Sequence, residues 1–109
     1  MSFDESLARR LRAELEGRKG LVEKKMFGGL AFLLNGNMSV GVYGSELIVR
    51  LPPDAAQKAL FEPGARPFDI TGKPMKGWVL VGPEGVEDDD QLTAWIERAT
   101  KFVRTLPKK

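Results

Sequence analysis

An α+β fold, with an antiparallel sheet of four to five strands packed by N-terminal, short middle and long C-terminal helices, is what this sequence predicts. Three observations carry the prediction. Apolar residues recur at helical spacing at both ends of the chain, they alternate with period two between Leu21 and Leu51, and Asn35-Gly36 divides that alternating stretch. The chain has 109 residues, enough to bury about two thirds of its unfolded surface around one core. One domain over residues 1–109 is therefore expected.

The first helix follows from Phe3, Leu7, Leu11 and Leu15 at four-residue spacing, with Ala8 beside them and Arg9, Arg10, Arg12 and Glu16 off the stripe. Ser2 and Glu5 have capping-box spacing, and Gly17 to Gly20 supply the stop. Asn-Gly suits a type I′ turn because both central residues need positive φ. Counting from that turn pairs Leu34 with Asn37, Leu33 with Met38 and Ala31 with Val40. A second tight turn at Gly44-Ser45 pairs Tyr43 with Glu46, Val42 with Leu47 and Val40 with Val49. One sheet face then collects Ala31, Leu33, Met38, Val40, Val42, Leu47, Val49 and Leu51 as a core. The other carries Leu30, Phe32, Leu34, Tyr43 and Ile48, too apolar for a face open to water. Something is expected to cover it: the segment from Pro63 to Val81, the helices, or a second copy of the chain.

Pro52-Pro53 ends the strand and starts a short helix over 54–60, with Ala56, Ala59 and Leu60 inward. The stretch from Glu62 to Gly77 holds three prolines and reads as a packed loop around a short strand, with Phe68, Ile70 and Met75 as its apolar residues. Trp78 to Val81 forms a further strand. The last helix is the plainest: Leu92, Trp95, Ile96, Ala99, Phe102, Val103 and Leu106 share a stripe, acids cluster at its start, Asp88 and Gln91 have capping-box spacing, and Pro107 ends it.

Composition excludes more chemistry than it suggests. The chain has no Cys and no His, which removes disulfides, thiol nucleophiles, thiolate metal sites, imidazole bases and the commonest metal ligand. The acidic run of Glu84, Glu87, Asp88, Asp89 and Asp90 matches no calcium-loop spacing, and a helix start explains it. Gly28-Gly29 lacks the spacing of a phosphate-binding loop and reads as a bend or close packing point. Asp69 beside Thr71 and Lys73 is the one locally unusual titratable cluster, and no nucleophile there has an identifiable base. No cofactor, metal or catalytic residue is expected. The N-terminus lacks the apolar core of a signal peptide, and no apolar run is long enough to span a membrane, so a cytoplasmic location is expected.

Basic residues offer a different chemistry. The net charge is only +2, but residues 66–77 contain Arg66, Lys73 and Lys76, with Lys24, Lys25 and Arg50 elsewhere. Phosphate binding would require these charges to gather on one face.

Three segments, KKMFGGLAFLLNGNM from Lys24, LIVRLPP from Leu47 and GARPFDITGKPMKGWVLV from Gly64, together with the terminal helix, resemble the N-terminal domain of the TfoX family, regulators linked to natural competence. The resemblance covers nearly the whole chain. It implies a small domain of helices around an antiparallel sheet, without the second domain that longer members carry, and it places no catalytic residue here. Its recurrent positions are Met26, Phe27, Gly28, Gly29, Arg66, Pro67, Phe68, Asp69, Pro74, Met75, Lys76 and Gly77. The function expected is that of a non-enzymatic regulatory or protein-interaction domain, meeting a second copy or a regulatory partner through Phe32, Ile48, Arg66, Phe68, Met75 and Lys76. The alternative is a weak nucleic-acid or phosphate-binding module using Lys24, Lys25, Arg66, Lys73 and Lys76.

Overall fold

The computed structural model describes residues 4–26, 28–69 and 76–108. Its elements run α1 (Glu5–Leu15), β1 (Leu21–Met26), β2 (Gly29–Leu34), β3 (Asn37–Tyr43), β4 (Glu46–Arg50), α2 (Pro53–Ala59), β5 (Ala65–Pro67), β6 (Trp78–Val81) and α3 (Asp89–Val103). The described residues form one six-stranded antiparallel sheet in the order β1-β2-β3-β4-β6-β5. The fold class is the expected one. The sheet has six strands where four to five were expected, with β1 at one edge and the three-residue β5, the short strand expected between Glu62 and Gly77, at the other.

Both tight turns form where the sequence puts them. Asn35 and Gly36 take φ of 53° and 85°, as a type I′ turn requires, and Leu34 pairs with Asn37 and Leu33 with Met38. Tyr43 pairs with Glu46, Val42 with Leu47 and Val40 with Val49. Between the turns the expected register fails. A bulge at Ser39 shifts the pairing, so Val40 lies opposite Phe32 rather than Ala31, and Ala31 lies opposite Gly41. One extra residue in a strand exchanges the faces beyond it. Leu30 and Phe32 therefore join Val40, Val42, Leu47, Val49, Val79 and Val81 in the main core, while Met38 packs on the other face.

Ser39 and Gly41 make this arrangement possible. The Ser39 hydroxyl is buried and donates to the Phe32 carbonyl at 3.1 Å, which gives the carbonyl beside the bulge a partner. A Cβ on Gly41 would lie 2.5 Å from the Leu30 carbonyl oxygen, so only glycine fits this close approach.

The three α-helices among the described residues contribute to the core on the Phe32 face. Leu7, Ala8, Leu11 and Leu15 come from α1, Ala56 and Ala59 from α2, and Leu92, Trp95, Ile96 and Ala99 from α3. Asp4, rather than Ser2, caps α1, accepting from the Ser6 and Leu7 amides at 2.8 and 3.3 Å; Ser2 and Phe3 lie outside the described residues. The Asp88–Gln91 capping box of α3 forms as expected. The second face holds a smaller cluster of Ile48, Phe68 and Leu80, with Met38, Tyr43 and Trp78 packed around it. Among the described residues no helix joins that cluster, and no helix is long and apolar enough to cross a membrane.

Candidate functional site

The residues expected to form an interaction surface are distributed unevenly. Phe32 is in the main core, and Ile48 and Phe68 are buried in the smaller cluster, where the Phe68 ring lies 5.8 Å from that of Trp78. The bulge explains Phe32: it turns β2 so that this side chain meets the helices. Arg66 lies on edge strand β5 and makes a two-point ion pair with Glu46, Nε and Nη2 donating at 2.7 and 2.5 Å, with Asp69 at 3.5 Å from Nη1. The Glu46 carboxylate, ahead of any other group, holds the Arg66 guanidinium above its usual pKa. Lys76 is exposed. Met75 and Lys73 lie outside the described residues, as do Ile70 and Thr71.

The basic residues are not brought together as a group. Lys24 and Lys25 sit on β1 and Arg66 on β5, at opposite edges of the sheet. Five strand spacings of about 4.8 Å separate those edges by roughly 24 Å. Arg50 is held elsewhere, its guanidinium 5.2 Å from the Trp78 ring centre and 6.0 Å from that of Phe102. Among the described residues no group of three or more acidic side chains could hold a metal ion. The buried polar side chains Asn37, Ser39 and Thr100 each have a hydrogen-bond partner within the fold: the Pro107 carbonyl, the Phe32 carbonyl and Arg18.

A concave surface does form where α2 meets the β6 and β5 edge. A groove of about 310 Å³ is lined by Ala56, Gln57, Leu60, Pro67, Lys76, Gly77 and Trp78. The Leu51 amide donates to the Gly77 carbonyl at 2.8 Å, fixing the start of β6 against the chain entering α2. The groove thus takes in Lys76 from the expected set, with Pro67 lying between Arg66 and Phe68.

Next in the chain to one of its lining residues is the residue that sequence reasoning missed. Phe61 is 92% exposed, immediately after the groove-lining Leu60. On its other side in the chain, Glu62 and Pro63 line a second concavity of about 140 Å³ with Gly85, Gln91, Ala94, Trp95 and Arg98. Arg98 grips Glu62 at 3.0 and 2.9 Å and lies over the Trp95 ring at 4.4 Å. An exposed phenylalanine thus stands, in the chain, between residues that line two hollows. The adjacent pair Leu60-Phe61 at a helix end was the available signal, since only one of two neighbours can turn inward.

A family model described as the TfoX N-terminal domain matches residues 13–103. No curated protein and no solved structure shows a match. The family match spans most of the chain, and the chain belongs to the TfoX N-terminal domain family.

Proposed function

We propose that this chain is a non-enzymatic protein-interaction domain of a regulatory kind, and that it meets its partner at the α2–β6 groove and Phe61. The observation that carries this reading is the 92% exposure of Phe61, next in the chain to Leu60, which lines an apolar groove. An exposed aromatic gives up its hydration on docking, and aromatic anchors packed into pockets contribute much of the affinity in protein interfaces. Trp78, Leu60 and Pro67 supply the apolar wall, and Lys76 supplies a charge at its margin suited to an acidic residue on the partner. Family membership supports a regulatory setting. A role in competence is the narrower form of the same proposal.

Nucleic-acid binding through the basic set has less support, because Arg66 is engaged by Glu46 and Asp69 and stands far from Lys24 and Lys25.

The test is affinity capture from the native cell with the wild-type chain, Phe61→Ser and Lys76→Glu. One partner is expected with the wild type. Its recovery should fall about tenfold or more with Phe61→Ser, as for loss of an aromatic anchor, while the melting temperature is unchanged. Equal recovery with all three chains would sink the reading.

A further inference from the structure

We propose that β1 is a self-recognition strand: two copies of this chain pair β1 against β1, antiparallel about a two-fold axis, with Lys24 facing Lys24 at the axis. This surface lies at the opposite edge of the sheet from the groove, so the two tests fail independently.

The edge is open. β1 pairs with β2 on one side only, and every residue of it after Leu21 is exposed. Val22 and Met26, 57% and 38% exposed, are two of the three exposed large apolar side chains among the described residues. Strand alternation puts Val22, Lys24 and Met26 on one face and Leu21, Glu23 and Lys25 on the other. Leu21 packs against the main core and Glu23 bonds to Arg12 of α1, which identifies the latter as the helix-bearing face.

The order of side chains selects one register. Two-fold antiparallel pairing sets residues of the same face opposite each other, so the numbers of opposed residues must sum to an even value. A sum of 46 puts Glu23 against Glu23 and Val22 against Lys24. A sum of 50 puts Lys25 against Lys25 and Lys24 against Met26. At 48, Glu23 opposes Lys25 twice and Val22 opposes Met26 twice, and only Lys24 meets its like. Opposite charges and apolar pairs across a ladder are favourable, and like charges are not. Edge lysines commonly block pairing; here their spacing from Glu23 rejects the neighbouring registers. The single Lys24 pair keeps the association weak and reversible.

Because the chain has no cysteine, cross-linking can read the register directly. Opposed residues of an antiparallel ladder have Cα atoms about 4.5–5.5 Å apart, within disulfide range. Single variants Glu23→Cys, Lys24→Cys and Lys25→Cys would be oxidised and run on non-reducing gels, alongside light scattering of the unmodified chain from micromolar to millimolar concentration. We expect a monomer–dimer equilibrium and efficient cross-linking of Lys24→Cys alone. Glu23→Cys and Lys25→Cys should each cross-link poorly but do so readily when mixed. Lys25→Glu should weaken the dimer about tenfold, and the exchange Glu23→Lys/Lys25→Glu should restore it. Lys24→Thr should tighten it several-fold. A monomer throughout the concentration range, or Glu23→Cys or Lys25→Cys cross-linking to itself better than Lys24→Cys, would overturn the proposal.

Discussion

At Ser39 a single extra residue decides which side of β2 meets the helices. With the bulge, Leu30 and Phe32 are buried in the main core; without it, Ala31 and Leu33 would occupy those positions and two large side chains would turn outward. Ser39→Ala removes a side-chain hydrogen bond to a buried carbonyl and should cost about 1–2 kcal/mol in chemical denaturation. Gly41→Ala should cost about 2–3 kcal/mol, because its methyl group would lie 2.5 Å from the Leu30 oxygen. The turn was legible because Asn-Gly has a backbone requirement of its own. The bulge was not, because nothing about Ser39 taken alone distinguishes a two-against-one pairing from a regular one. An apolar content too high for the wet face was its trace: counting by twos from Asn35-Gly36 left Leu30 and Phe32 on that face, and the excess signalled an error of phase.

Among the elements, the terminal helix was the most legible, since amphipathic spacing, acidic start and capping box agree. Trp95 is buried, and its indole N–H donates to the Gly85 carbonyl at 3.2 Å. Trp95→Ala should lower stability by about 3–5 kcal/mol; a loss below about 1 kcal/mol would contradict its place in the core. The contact between α1 and β1 was not legible, because it joins residues whose spacing follows no local pattern. Arg12 donates to both Glu23 oxygens at 2.8 Å, and these hydrogen bonds hold the Glu23 carboxyl below its ordinary pKa. A lowered carboxyl pKa stabilises the fold above the unfolded value of about 4.3 and loses that contribution as pH falls through the folded value. Both side chains are more than a third exposed, so the effect is small. Arg12→Ala should cost about 0.5 kcal/mol at neutral pH, and the difference from wild type should vanish as the pH falls below 4. A difference that persists in acid would show that Arg12 acts by packing instead. The groove was half legible: Lys76 was singled out by composition, whereas Leu60 and Trp78 converge only once α2 lies against β6.

Across the whole molecule, the described helices pack on one sheet face, while the other carries a small cluster and the two sheet edges differ in character. Of the basic residues singled out for phosphate binding, Lys24 and Lys25 lie at one edge and Arg66 at the other. A duplex-DNA titration should therefore show no affinity beyond general electrostatic binding, about 10⁻⁴ M or weaker at physiological salt. The groove edge is where shape and exposed aromatic surface coincide. Its most direct test is a photo-cross-linking amino acid at position 61, with the same group at exposed Asp54 on α2 as the control, irradiated in the native cell. A discrete higher-mass adduct at position 61, absent at 54 and lost when Lys76→Glu is added, is the expected result. No adduct at 61, or the same adducts at both positions, would contradict a partner-binding groove.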